Sequence, residues 1–324
     1  MKEKNRGRLY PKIRLGVSAC VIGEKVRFDG GHKSSAFLVD ELAPWVDFVS
    51  FCPEMSAGLG SPRPAIRLVL VDDYIRVQGA SRRSLDVTES LLSAVDSLTI
   101  KARDLTGFVF CAKSPSCGME RVKVYQPSGD PLPQMRPGVF AGKLMVSYPQ
   151  IPCEETGRLN DRLLRESFLC RLFCHGDWQQ LCKDGLTRAS LVEFHSRYKL
   201  LLMAHSPEHY RKIGPMLADL RGKDLIVLGE QYIRCLMDGL AITATRKKHT
   251  NVLMHIQGYF KRQLSSVDKK ALTEMILRYQ QGLLPLSAPL EMLCHHLRHF
   301  PDDYLQLQTY FQPYPIELVT KSVI

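Results

Sequence analysis

Short β-branched and aromatic runs recur through the first half of the chain: Lys12–Ala19 (KIRLGVSA), Val46–Phe51 (VDFVSF), Ile66–Val71 (IRLVLV) and Gly107–Phe110 (GFVF). Each is bounded by turn residues, as buried strands are. Two helical stretches fall among them. Ser35–Leu42 follows the first strand, and Ser84–Leu105 follows the third with apolar positions at Leu85, Val87, Leu91, Leu92, Val95, Leu98 and Ile100. Strands alternating with helices predict an α/β domain whose mostly parallel sheet is covered on its faces.

Across Pro127–Pro152 the pattern stops, and six prolines with several glycines argue against any regular element there. Beyond it the apolar period becomes 3.6. Asn160–Cys174, Ser190–Ala204, Pro207–Arg221, Leu225–Ala244, Asn251–Leu264, Asp268–Leu283 and Ala288–His299 read as amphipathic helices, several opening on Ser, Asp, Asn or Pro. The chain thus reads as an α/β domain over 1–150 and an all-α domain over 151–324. A length of 324 residues agrees with two domains.

Composition is globular, with 45% hydrophobic and 24% charged residues. No window approaches the roughly 18 apolar residues of a membrane helix, and the basic stretch Met1–Arg14 leads into no apolar leader. The expectation is a soluble, cytoplasmic protein with no membrane partner, whose ten cysteines are reduced thiols to be judged by their neighbours. Net charge is +11 and both halves share it: 21 Lys/Arg against 15 Asp/Glu over 1–150, 23 against 18 over 151–324. That excess favours a polyanionic partner, nucleic acid first.

Three cysteines share a topological position. Cys20 follows the first predicted strand, Cys52 the second, and Cys117 lies in the loop after the fourth, Cys111-Ala-Lys-Ser-Pro-Ser-Cys-Gly118. The carboxyl ends of parallel strands line one crevice, so the three thiols converge on one site although nearly 100 residues separate the outer two. Thiolates hold iron–sulfur clusters and structural zinc, and three of them leave one metal position open. The plain alternative is three small buried side chains at strand ends. The flanking residues weigh against it. Phe28-Asp-Gly-Gly-His-Lys33 is a polar glycine-rich loop, and Cys52-Pro-Glu54 leads to Ala57-Gly-Leu-Gly-Ser-Pro-Arg63, where glycine N–H groups, Ser61 and Arg63 can meet an anion.

The segments Val17–Lys33 (VSACVIGEKVRFDGGHK), Cys52–Val69 (CPEMSAGLGSPRPAIRLV) and Lys113–Gly118 (KSPSCG) together resemble the thiouracil and 2-thiouridine desulfidase family over residues 10–150. The resemblance implies a [4Fe-4S] cluster with three cysteine ligands and a free fourth iron, and by position the ligands are Cys20, Cys52 and Cys117. Cys111 falls where the pattern does not demand cysteine and is set aside as a buried strand-end thiol. The second half resembles a helical domain often fused to this one, and its Phe194–Pro207 segment interleaves His195, Arg197, Lys199 and His205 with apolar residues. A helix with one charged side explains that segment as well as a binding face does. Cys170 and Cys174, with His175 and Cys182, form a rival metal group, but His175 points off the face that the two cysteines share.

The activity so implied is non-redox replacement of sulfur by oxygen on a thiolated pyrimidine, 2-thiouridine in tRNA. Sulfur would be polarised by the open iron while water adds. Glu54 is the expected proton-transferring group, its pKa raised by apolar surroundings. Ser116, Lys113 and Asp29 join it as candidate catalytic residues, and Ser61, Arg63, Ser114 and Lys33 as substrate-binding ones. Thiolated tRNA is the expected partner, its base unstacked before reaction and its phosphates held by basic helices. The alternatives are a desulfidase of free thiouracil-type bases, and a non-catalytic metal-containing RNA-binding protein whose site a fourth ligand such as Cys111 or His32 would close.

Overall fold

The computed structural model describes residues 10–82, 84–218, 220 and 222–318. Apolar residues decide the first sheet. Strand β1 (Ile13–Ser18) buries Ile13, Leu15 and Val17 completely and lies between β2 (Val46–Phe51) and β5 (Gly107–Phe110), with β8 (Cys153–Glu155) beyond β5. All three pairings are parallel. Gly16 permits the central contact, because a Cβ there would stand 2.4 Å from the Phe108 ring and 2.5 Å from Leu105.

Ile66–Val71 forms a strand, β3, but outside that sheet. It pairs antiparallel with β4 (Tyr74–Gly79) through the two-residue turn Asp72-Asp73, both at positive φ. Such primed turns match strand twist, so the hairpin closes locally and needs no crossover helix. A second sheet results, ordered β4-β3-β6-β7, with β6 (Val122–Tyr125) parallel to β3 and β7 (Pro131–Arg136) antiparallel to β6. Its core holds Leu68, Val77, Leu91, Val122 and Val124.

The proline-rich stretch is regular after all. β7 is an edge strand paired on one side only, where the missing N–H groups of Pro131 and Pro133 cost no ladder bond on the open side. The helix α3 (Val139–Ser147) fits between Pro137 and Pro149. Helical turns occupy Phe37–Leu42 and Ala43–Trp45, a single turn α1 occupies Pro53–Ser56, and α2 spans Thr88–Lys101. It starts four residues later than expected, because Asp86 accepts the Thr88 N–H at 2.9 Å.

The described chain divides into two compact units between Phe168 and Leu169, inside α4 (Arg162–Gly185). This helix runs past the expected end at Cys174 to Gly185, at φ 99°, a conformation that favours glycine. The second unit continues with α5 (Arg188–His205), α6 (Pro207–Ala218), α7 (Leu225–Ala241), α8 (Arg246–Tyr259), α9 (Ser266–Gln280), α10 (Ser287–His299) and the single turn α11 (Asp303–Gln306). The expected end of α6 at Arg221 lies outside the described residues. The helix α8 begins five residues before the expected Asn251, where the Thr245 side chain accepts from Lys248 N. Trp178, Phe194, Tyr198 and Tyr232 form an aromatic group in the unit's core. No helix among the described residues is long and apolar enough to cross a membrane.

Candidate functional site

A cavity of about 360 Å³ opens at the carboxyl ends of the parallel strands. Cys20 reaches it from the turn after β1, Cys52 from the residue capping α1 after β2, and Cys117 from the loop after β5. A fourth thiol also lines it, the one set aside from sequence: Cys111, first residue after β5. Its N–H donates to the Ser18 hydroxyl at 3.0 Å, which fixes it beside β1. Its position directly after a parallel strand is the same signal that marked Cys20 and Cys52. His32 is exposed and lies off the cavity, its Nδ1 accepting from Ser34 N at 3.3 Å.

The loop bearing Cys117 is anchored from behind. Val139 N donates to Pro115 O at 3.0 Å and Phe140 N to Ser116 O at 2.9 Å, so free N–H groups at the start of α3 hold the loop carbonyls. Gly138 allows this approach, since a Cβ there would lie 2.6 Å from the Ser116 backbone. The Ser114 hydroxyl accepts from Ser116 N and Cys117 N at 3.2 and 3.1 Å, shaping the turn.

Glu54 is the buried hub of the remaining contacts. Its Oε1 accepts from the Ser116 hydroxyl at 2.9 Å, across 62 residues of chain. Its Oε2 accepts from Arg63 through Nε at 2.9 Å and Nη2 at 2.6 Å. Arg63 also donates to Gly60 O at 2.6 Å and Val26 O at 2.9 Å, and Ser61 donates to Arg27 O at 2.9 Å. The two residues expected to meet a substrate anion are therefore spent on the protein's own acceptors, where they tie the loop after β2 to the loop after β1. The apolar surroundings expected for Glu54 instead hold an ion pair. Lys33, Lys113 and Ser114 line the cavity, and Lys113 sits at φ 63°. Asp29 does not line it. It lies on the surface, accepting from Gly31 N at 3.0 Å and pairing with Arg27, and so holds the glycine turn.

The thiols divide electrostatically. A hydrogen bond from the Cys20 thiol lowers Cys111 to about 7, with help from nearby Lys33 and Arg27. The same bond, followed by burial, pushes Cys20 far up. Burial raises Cys52 and, more strongly, Cys117. Ligation needs the thiolate, so a cationic centre bound here would have to displace the protons that burial holds on Cys20, Cys52 and Cys117. Among the described residues no three His, Cys, Asp or Glu side chains converge on the position of one ion. The thiols around the cavity wall are nonetheless side chains of the kind that hold iron–sulfur clusters or zinc.

In the helical unit most of the sequence candidates are packed. Cys170, Cys174 and His175 are buried in α4, and Cys182 is exposed. His205 is buried with Nδ1 2.8 Å from Ile242 O, and His195 Nδ1 lies 3.3 Å from the Tyr232 hydroxyl. Arg197 and Lys199 lie over the rings of Phe194 and Tyr210.

Comparison with known proteins divides the chain in the same order. The family described as 2-thiouracil desulfurase matches residues 15–156, and the protein of unknown function family DUF1722 matches residues 199–315. The uncharacterized protein YbgA of Escherichia coli (strain K12) is 39% identical over 158 residues, which is 48% of this chain and 94% of YbgA. A solved structure of the [4Fe-4S]-dependent thiouracil desulfidase TudS is 26% identical and covers 48% of this chain and 98% of its own, with a TM-score of 0.37.

Proposed function

Because the chain belongs to the 2-thiouracil desulfurase family through residues 15–156, with a DUF1722 domain at 199–315, we propose that it removes sulfur from a thiolated pyrimidine by hydrolysis, with 2-thiouridine in tRNA as its substrate. In this reading Cys20, Cys52 and Cys117 hold a [4Fe-4S] cluster. One observation carries it: strand-end loops bring these three thiols to one cavity, with a buried carboxylate and serine hydroxyl hydrogen-bonded directly behind the third. When bound, such a cluster supplies a soft Lewis acid for thiocarbonyl sulfur.

The chain's own residues do the rest. The reaction converts C=S and water into C=O, hydrosulfide and a proton, with no change in oxidation state. Glu54 is the group that accepts and returns the proton, and Ser116 and Arg63 hold its two oxygens so that its orientation is set before substrate arrives. Lys113 and Lys33 place positive charge at the cavity wall, where hydrosulfide develops. Ser114 shapes the Cys117 turn, and Asp29 holds the loop behind Cys20.

Charge supports tRNA as the substrate. Both halves of the chain are basic, and a phosphate-binding surface offsets the cost of unstacking a base. The test is incubation of anaerobically reconstituted protein with thiolated tRNA, then nucleoside analysis. Loss of 2-thiouridine with stoichiometric hydrosulfide is expected. Turnover of free thiouracil with none on tRNA would assign the protein to free bases instead.

A further inference from the structure

Ser18 and Cys111 both line the thiol cavity, both are buried, and neither has a part in the reaction so far. Ser18 is the last residue of β1 and Cys111 the first after β5, and the parallel pairing that sets Val17 opposite Val109 brings the two strand ends together. Cys111 N donates to Ser18 Oγ at 3.0 Å. That bond takes up a lone pair of the hydroxyl and leaves its single proton for another acceptor. The acceptor is the Cys117 sulfur, to which the Ser18 side chain is hydrogen-bonded. The Cys111 thiol in turn shares a hydrogen bond with Cys20, whereas the other acceptor in its reach, Ala112 O, is 3.9 Å away. Cys52 completes the pattern, because the backbone N–H groups of Met55 and Glu54 hydrogen-bond its sulfur.

Each of the three cysteines read as ligands therefore has a hydrogen-bonding neighbour at its sulfur. A buried thiolate is costly unless its charge is shared, and a hydrogen bond to a charged acceptor is about twice as strong as one between neutral groups. A sulfur that has given up its proton to a metal can only accept. Ser18 then keeps the donor role it already has toward Cys117. Toward Cys20 the bond reverses: Cys20 is the donor as a thiol, so once a metal replaces that proton the contact survives only with Cys111 donating. Hydrogen bonds to ligand sulfurs draw charge from them and are among the levers that set a cluster's reduction potential.

We propose that Ser18 and Cys111 are positioning residues that act through the sulfurs of Cys117 and Cys20, each donating a hydrogen bond that raises the electron affinity of the bound cluster. The inference rests on the cluster reading of the thiol cavity. It gives the fourth thiol a role without making it a ligand. Drawing charge from the ligand sulfurs also leaves iron a stronger Lewis acid, the property that the desulfuration reading asks of it.

The test uses the full-length protein, reconstituted anaerobically with iron and sulfide, beside Ser18→Ala, Ser18→Thr, Cys111→Ala and Cys111→Ser. Ser18 has extended backbone, at φ −61° and ψ 121°, which threonine also adopts. The readouts are the midpoint of one-electron reduction, the iron–thiolate stretching frequencies in ordinary and heavy water by resonance Raman, and the urea midpoint. Each alanine variant should take up its cluster and shift the one-electron equilibrium toward the oxidised form by up to about tenfold, which is about 59 mV. Its frequencies should respond less to heavy water than those of the unsubstituted protein. The threonine and serine variants keep a donor and should stay near the unsubstituted protein in both readouts. A lowered urea midpoint with an unmoved potential would make the two side chains structural only and overturn the proposal, as would alanine and conservative variants that shift alike. Should Ser18→Ala fail to fold, Cys111→Ala decides alone, since its side chain can be removed without taking a partner from the backbone. Unsubstituted protein that takes up no cluster would overturn the cluster reading and this inference together, whereas a loaded cluster whose potential ignores all four substitutions overturns the inference and leaves that reading standing.

Discussion

Glu54 carries the most specific expectations at the scale of single residues. Its two oxygens are held by Ser116 and Arg63, so Glu54→Gln keeps the shape but cannot move a proton. The variant should retain its cluster and lose about 10²- to 10⁴-fold in kcat, read by single-substrate kinetics on fully loaded protein. Arg63→Gln strands a buried carboxylate and frees the loops at Gly60 and Val26. It should cost about 3 kcal/mol of stability, read from the urea midpoint. The thiols separate by role as well. Cys20→Ala, Cys52→Ala and Cys117→Ala should each strip most of the iron and sulfide, whereas Cys111→Ala should leave both in place. Iron loss in Cys111→Ala equal to that in Cys117→Ala would make Cys111 a fourth ligand and close the site.

At the scale of elements, the site is built by the loops that leave the parallel strands, and this much could be read from sequence. The runs at Lys12–Ala19, Val46–Phe51 and Gly107–Phe110 marked three strands of the first sheet, and the residues just after them marked the loops that meet. The remainder depended on tertiary pairing. β7 exists because it has one neighbour, and α3 because two prolines fence a nine-residue run that is apolar apart from Lys143 and Ser147. Arg63 looked like an anion ligand because a sequence cannot show the carbonyls and carboxylate that satisfy it. Cys111 was discounted on a motif, although its place after β5 was visible. The helical unit relies on capped starts, and Asp224 accepts from both Ile226 N and Val227 N at the head of α7. Asp224→Ala should cost about 1 kcal/mol, measured by thermal or urea unfolding. The same unit buries His205 and half-buries His249, each pushed down to about 4 chiefly by loss of water around the ring. The folded chain keeps them neutral while the unfolded chain protonates near 6.5, so stability is full above pH 6.5 and falls as pH drops toward 4. Each should cost up to about 2 kcal/mol by pH 5. Urea midpoints of the helical signal at pH 7 and pH 5 check this, and an unchanged midpoint would contradict the buried neutral state.

At the scale of the whole molecule, a net charge of +11 spread over both halves should make affinity for tRNA steeply salt-dependent. The logarithm of the binding constant should fall linearly with the logarithm of salt concentration, and its slope counts the phosphates engaged. Filter binding between 50 and 200 mM salt, at roughly neutral pH, reads that slope. A flat dependence would move recognition away from phosphates and toward the cavity of thiols alone. The central claim is chemical, and anaerobic turnover tests it most directly. Protein loaded with iron and sulfide, free of any electron donor, is incubated with 2-thiouridine-containing tRNA and with 2-thiouracil. The account predicts uridine or uracil and one hydrosulfide per sulfur removed, in proportion to cluster content and absent from Cys117→Ala. Fully loaded protein that leaves every thiolated pyrimidine intact, or that releases sulfur only with added reductant, would contradict it.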